Sequence, residues 1–199
     1  TWLWAKPALN LAEATDKTVN LVDYSIFYTS KVELTFKQAL ALPVKSFKEV
    51  KSAGVIGLGY TSDTVWIRFR VKNFSIENIL WYLEIANPLL DKIDLVTRLR
   101  SEGEDQISLR SAGDSREFNK RESKYRNVVF PISEPKGENL YMLKIQSTSA
   151  LTMPILMISP KNFEKKQNRE NFLFGVYYGL MLIMLLYNII LFFFSKEKS

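Results

Sequence analysis

Val65-Trp66-Ile67-Arg68-Phe69-Arg70-Val71-Lys72 alternates apolar and polar or amphipathic side chains over eight residues. Period two is the signature of a strand with one face in a core and the other toward water. Working outward from it, Thr64 to Asn73 reads as one strand and 73–78 (NFSIEN) as a turn. Residues 80–86 (LWYLEIA) read as the next strand, closed by Asn87-Pro88. A strand over 93–99 follows, with Ser101-Glu102-Gly103 as a hairpin turn and a weak strand over 106–110. Residues 111–123 are polar and irregular. Three further strands are expected over 125–132, 140–146 and 154–158, with Glu134-Pro135-Lys136-Gly137 as a turn between the first two. Residues 35–42 read as one short helix. Many short strands at this spacing predict a mainly β fold of sandwich type.

The end of the chain is of another kind. Residues 172–194 (FLFGVYYGLMLIMLLYNIILFFF) run for 23 positions without a charge. A hydrocarbon core of roughly 30 Å needs about 20 helical residues, so this stretch predicts one transmembrane helix. Tyr177 and Tyr178 near one end, and Lys196 and Lys198 past the other, suit interfacial anchors. Gly175 and Gly179 are four apart, a spacing that lets another helix approach closely. Asn188 is polar deep in the span and favours a partner. The other reading is that the glycines face lipid and Asn188 lies near the interface. Residues 160–171 are polar and helix-friendly and enter the span without a flexible linker. The flanking charges leave orientation open, because a large folded domain translocates largely regardless of its charge.

Composition narrows the function. The chain has 199 residues, net charge +6, no Cys and no His. Disulfides, thiolate and imidazole chemistry, and Ser-His or Cys-His catalysis are excluded within it. No metal site and no cofactor is expected. The basic residues are scattered, without the stripe of a nucleic-acid binder. Gly54-Val55-Ile56-Gly57-Leu58-Gly59 is spaced GxxGxG and precedes a strand, so it reads as a loop and not a phosphate cradle. Asn73-Phe74-Ser75 fits a glycosylation sequon, a pattern that chance often supplies. Glycosidases need two carboxylates about 5 to 9 Å apart. Asp91 and Asp94 would point to opposite faces of a strand, and with Glu84 they are better explained as surface or turn groups, so no enzyme is expected. Thr1 in place of Met, the fragment Trp2-Leu3-Trp4-Ala5 (a short stretch that fits the tail of a signal peptide) and the ending Lys196-Glu197-Lys198-Ser199 suggest a piece of a longer protein.

An ordered set of landmarks covers nearly the whole chain. These are Asp23-Tyr24, Leu34-Thr35-Phe36, Gly59-Tyr60, Val65-Trp66-Ile67-Arg68-Phe69, Asn73 and Trp81-Tyr82-Leu83-Glu84. They continue with Asn87-Pro88-Leu89-Leu90-Asp91-Lys92-Ile93-Asp94-Leu95, Ser111-Ala112-Gly113-Asp114, Tyr125-Arg126-Asn127 and Phe130-Pro131-Ile132. Leu140-Tyr141, Ser159-Pro160, Phe163, Tyr178-Gly179-Leu180 and Leu186-Tyr187-Asn188 complete it. In this order they resemble the type 2 extracytoplasmic sensor region and first membrane helix of bacterial seven-transmembrane receptors with diverse intracellular signalling modules. The resemblance implies a jelly-roll-like β-sandwich akin to carbohydrate-binding modules, outside the inner membrane. Further helices and a cytoplasmic output module would follow in the same chain.

The expected organisation is a lead-in (1–20), a β-sandwich sensor domain (21–160), a juxtamembrane helix (161–171), a transmembrane helix (172–194) and the start of a cytoplasmic loop (195–199). Residues 1–171 would be periplasmic. Trp66, Arg68, Tyr82 and Glu84 are the candidate ligand-binding residues, since a sugar site pairs an aromatic platform with a few polar groups. The reading favoured over it, since Trp is mostly buried on average, is that Trp66 packs in the core and Arg68 pairs with Glu84 or Asp94 for stability. The expected partners are a small-molecule or carbohydrate ligand, the lipid bilayer, further helices and an output module of the same chain; no nucleic acid is expected, and a homodimer is allowed. A single-span tethered module is the rival reading, separable by the gene sequence past Ser199.

Overall fold

The computed structural model describes residues 6–14, 16–50, 54–101 and 104–196, and divides into two compact units, residues 1–160 and 161–199. Trp2 to Ala5, Glu102-Gly103 of the expected hairpin turn, and Lys198 lie outside the described residues.

In chain order the strands of the first unit are β1 (Leu9–Asn10), β2 (Thr18–Asn20), β3 (Ile26–Ser30), β4 (Lys48–Glu49), β5 (Ile56–Gly59), β6 (Thr64–Asn73) and β7 (Ile79–Ile85). They continue with β8 (Lys92–Ser101), β9 (Glu104–Ala112), β10 (Val128–Glu134), β11 (Gly137–Gln146), β12 (Leu151–Met153) and β13 (Ile155–Ile158). A short helix, α1 (Phe36–Ala41), falls between β3 and β4. The larger sheet has the order β4-β3-β6-β11-β8-β9, with β1 also paired to β6. The smaller has the order β10-β7-β13-β2, and β12 pairs with β5 separately.

The alternation in β6 sets its two faces. Val65, Ile67, Phe69 and Val71 are fully buried, in one cluster with Ile93 and Leu95 of β8 and Tyr141, Leu143 and Ile145 of β11. Trp81, Leu83 and Ile85 of β7, Val128, Phe130 and Ile132 of β10, and Ile155 and Met157 of β13 close the same cluster from the smaller sheet. This shared core makes the unit a β-sandwich. Phe69 and Tyr141 sit opposite each other in register and stack at 5.3 Å between ring centroids. Such a cross-strand aromatic pair adds to simple burial.

Alternation names no partner for β6; β7, the next strand in sequence, belongs to the other sheet, and β6 pairs with β3, β11 and β1. Several expectations are corrected. Ile56–Gly59 is a strand, not part of a loop. Tyr125 to Asn127 precede the strand that begins at Val128. Pro131, lacking an N–H, is tolerated because β10 is an edge strand. After β9 the chain turns at Gly113, whose φ is +134° and where a Cβ would meet the Asp91 carbonyl oxygen at 2.2 Å. Only glycine fits that approach.

The second unit continues the helix α2 (Pro160–Lys196), 37 residues long. At 1.5 Å per residue this is about 55 Å. Proline suits the first helical position, where no N–H is needed. The helix is long and apolar enough to cross a membrane, with the side chains of that stretch unburied within the chain. A Cβ on Gly175 or Gly179 would meet nothing within 4 Å. Asn188 Nδ2 donates to the Met184 carbonyl at 2.9 Å, so its amide already has a partner within its own helix.

Candidate ligand-binding face

The outward residues of β6 start the site. Trp66 and Arg68 point away from the sandwich core, yet neither is exposed. The segment 34–47 lies over them. Leu34, Phe36, Ala39, Leu40, Leu42, Val44 and Phe47 form a second apolar cluster with Ile26, Tyr28, Trp66, Val96 and Met142 on the outer face of the larger sheet. The sequence builds this strap locally. Thr35 and Gln38 form a reciprocal capping box at the start of α1, with Thr35 N donating to Gln38 Oε1 at 2.9 Å. Pro43 follows where the helix stops.

Arg68 reaches from the sheet to the end of that helix. Its guanidinium donates to the carbonyls of Ala39 and Leu42, the latter at 3.2 Å, and lies 4.1 Å from the centre of the Phe47 ring. A cation suits the last carbonyls of a helix. Burial pulls its pKa down to about 10, so it stays charged at neutral pH. Arg68 Nε and Trp66 Nε1 are buried without hydrogen-bond partners. Phe36 meets Trp66 edge to face at 5.3 Å, and Lys144 Nζ is 5.7 Å from the Trp66 ring. Lys144 also pairs with Glu33 at 2.9 Å, which holds the Glu33 carboxyl below its ordinary value.

Tyr82 and Glu84 are elsewhere. They alternate with the core residues Trp81, Leu83 and Ile85, so they lie on the outer face of the smaller sheet. Glu84 is buried and accepts from Asn127 Nδ2. The whole core therefore separates Trp66 and Arg68 from Tyr82 and Glu84, and the four do not form one site. Neither expected ion pair of Arg68 forms: Asp94 accepts from Ser111 Oγ at 2.6 Å and Arg116 Nη2 at 2.8 Å. Trp66 does pack into an apolar cluster, under the strap and not between the sheets.

The remaining carboxylates serve the fold. Asp91 Oδ2 accepts from Thr148 N at 2.7 Å and Oγ1 at 2.9 Å, fastening one loop to another. Glu134 is fully buried at the end of β10, with its side chain among the inward positions of that strand. It accepts from the Tyr141 hydroxyl and from Asn139 Nδ2 at 2.7 Å. Burial pushes its pKa up to about 7, against the lowering effect of those two bonds. Burial and the neighbouring Glu134 push the Tyr141 hydroxyl above its ordinary range. Among the described residues, no three Asp and Glu side chains gather as metal ligands do.

Sequence reasoning missed Phe36, Phe47 and Lys144. Lys144 sits directly opposite Trp66 in the β6–β11 register, information that only strand pairing supplies. Phe36 lies in the stretch 35–42 that reads as one short helix, and Phe47 lies beyond it, where the sequence marks no element.

The first unit is a two-sheet sandwich with an aromatic and cationic cluster on one outer face, and the chain continues into a helix long and apolar enough to cross a membrane. The family model described as 7TMR-DISM extracellular 2 matches residues 23–159, and the chain belongs to that family: it is the extracellular sensor domain of a membrane receptor. No curated protein matches the chain.

Proposed function

We propose that this domain senses a small polar ligand, a carbohydrate above all, on the outer face of the larger sheet, around Trp66, Arg68, Phe36, Phe47 and Lys144. It would act at the bacterial inner membrane and pass the signal through α2 and further helices to a cytoplasmic output module. The observation that carries this reading is the pair of orphaned donors, Trp66 Nε1 and Arg68 Nε, inside an aromatic cluster. Buried donors left unpaired cost free energy, and a ligand hydroxyl is an acceptor for both. The apolar C–H face of a sugar ring stacks on an aromatic ring, and Lys144 and Arg68 supply hydrogen bonds at its rim. Because the strap covers these groups, binding requires the segment 34–47 to shift, which gives the domain two states that a ligand can distinguish. The reading is of binding and not turnover, since Glu84, Asp91 and Asp94 are each held by structural hydrogen bonds.

The test is thermal unfolding of the chain in detergent micelles against neutral mono- and disaccharides and their uronic acids. A ligand at 100 times its dissociation constant stabilises by about 2.7 kcal/mol, a readable rise in Tm. The rise should vanish in Phe36→Ala and shrink in Lys144→Gln. A saccharide response unchanged in both variants, or no response to any of the saccharides, would refute this placement.

A further inference from the structure

Two cations beside Trp66 are held by the strap that covers them, and one of the two has no counter-charge. Arg68 is 2% exposed, and its guanidinium meets the carbonyls of Ala39 and Leu42 and the ring of Phe47, none of them a carboxylate. The acidic side chains of this face are engaged elsewhere: Asp94 with Arg116, Glu138 with Arg70 and Lys72, and Glu33 with Lys144. A buried charge is ordinarily paired with an opposite one, and the carbonyls at a helix end offer it only a partial charge. Arg68 Nε is buried with no acceptor at all.

Strand register sets the two cations side by side. Lys144 stands opposite Trp66, and Met142 opposite Arg68, so Lys144 and Arg68 are diagonal neighbours on one face, about 7 to 8 Å apart at the backbone. The Trp66 ring is 5.7 Å from Lys144 Nζ. What each cation holds belongs to the strap or to its root. Arg68 holds the end of α1, and Lys144 holds Glu33, the residue before Leu34. The Glu33 side chain is 74% exposed, and an ion pair so open to water is weak and readily exchanged. Arginine takes a carboxylate through two parallel N–H groups. On the edge of Arg68 that carries Nε and Nη2, Nη2 donates to the Ala39 carbonyl and Nε is idle.

We propose, resting on the reading of this face as the ligand site, that the ligand is acidic: a uronic acid whose carboxylate lies between Arg68 and Lys144 while its ring stacks on Trp66. The carboxylate takes Arg68 Nε and Nη2 in place of the Ala39 carbonyl, and Lys144 in place of Glu33. One anion thus releases both fastenings of the strap, and the shifted strap uncovers the Trp66 ring for the sugar. Glu33 is the competitor built into the chain, holding Lys144 until a ligand carboxylate replaces it. A neutral sugar has hydroxyls for the idle donors, but no charge with which to displace Glu33 or to answer Arg68. The charge of the ligand is therefore what distinguishes the covered state of the site from the open one.

Isothermal titration calorimetry of the full chain in detergent micelles would compare glucuronic, galacturonic and mannuronic acids with their neutral parent sugars and with the corresponding uronamides, which keep the shape and lose the charge. At least one acid should bind about tenfold or more tighter than its parent and its amide, and the margin should shrink as salt is raised. Lys144→Gln should remove most of that margin. Glu33→Gln deletes the competitor from an exposed position, so it should tighten the acid severalfold and leave the neutral sugars unchanged, a gain that a merely structural role does not produce. Parent sugars or amides binding as tightly as the acids would overturn the acidic ligand and leave the carbohydrate reading standing. No binding of any acid or neutral sugar would overturn both. An acid preference unchanged in both Lys144→Gln and Glu33→Gln would put the carboxylate elsewhere and overturn its placement between Arg68 and Lys144.

Discussion

Glu134 should make the stability of this domain fall as pH rises from about 4.5 to about 7. Its carboxyl has an ordinary value of 4.5 and is pushed up to about 7 in the folded chain, first of all by burial. Between these two values the folded state holds a proton that the unfolded state has released. Stability then declines with pH, because the slope follows the protons bound by the unfolded state minus those bound by the folded one. The contribution is fully present below about pH 4.5 and is lost progressively until about pH 7, above which the loss levels off. Each pH unit that separates the folded from the unfolded value corresponds to about 1.4 kcal/mol, so the full loss is about 3 kcal/mol, of which about 2 falls between pH 5 and 7.5. With a urea slope of roughly 2 kcal/mol per molar, the midpoint should drop by about 1 M across that window. Trp66 and Trp81 are buried, so tryptophan fluorescence reports the unfolding. The chain has no histidine and no cysteine, and Glu134 is the group among the described residues whose shifted value falls inside the window. Glu134→Gln keeps the shape and an acceptor for Asn139, and the Tyr141 hydroxyl can accept from its amide. That variant should unfold at nearly the same urea concentration at pH 5 and 7.5. A wild-type midpoint that rises over this range, or a pH dependence surviving intact in Glu134→Gln, would refute the reasoning.

Phe69→Ala removes a fully buried ring stacked on Tyr141 and should cost roughly 3 to 5 kcal/mol in urea unfolding. A loss under about 1 kcal/mol, the scale of a surface change, would mean that β6 is inverted. Gly113→Ala forces a Cβ against the Asp91 carbonyl at a left-handed φ; a loss of at least about 2 kcal/mol is expected, and wild-type stability would contradict the loop geometry. A chain cut after Phe163 keeps every strand and should be soluble with a β-type circular dichroism spectrum, whereas a helix-dominated spectrum would reject the sandwich. Four glycines inserted after Gln167 interrupt α2 before its apolar stretch. In a reconstituted full-length receptor this should abolish ligand-dependent output while leaving affinity nearly unchanged, and normal output would rule out a rigid-helix relay.

What the sequence revealed and withheld about the fold has one physical cause. Alternation in residues 65–72 reports the environment on two sides of a strand, so the core face of β6 was legible residue by residue. It carries no information about which strand lies alongside. Consecutive strands are neighbours only about two-thirds of the time, and β6 and β7 are not: they face each other across the core. Short strands with mixed burial left no period to read. Ile26–Ser30 is buried only at its ends, with half-buried residues between. Ile56–Gly59 alternates glycine with an apolar residue, and glycine in a strand contributes no side chain to a pattern.

The grouping of Trp66 and Arg68 with Tyr82 and Glu84 was lost for a related reason. Trp66 and Arg68 stand at outward positions of a half-buried strand, where local reasoning expects water or a ligand. Instead a segment some 20 to 30 residues earlier in the chain folds back over them, and the polar face acquires a core of its own. A strap of this kind is visible in composition only as an ordinary amphipathic stretch, because what identifies its function is the partner it covers. The same step that removed Tyr82 and Glu84 from the site added Lys144, since strand register, not sequence distance, decides which cations stand beside a tryptophan. Two donors remain unpaired beneath the strap. In a core built for stability alone they would be a liability. Under the proposed function they are groups that a ligand would satisfy, and such a difference in contacts between two states is one means by which a ligand shifts a domain from one to the other.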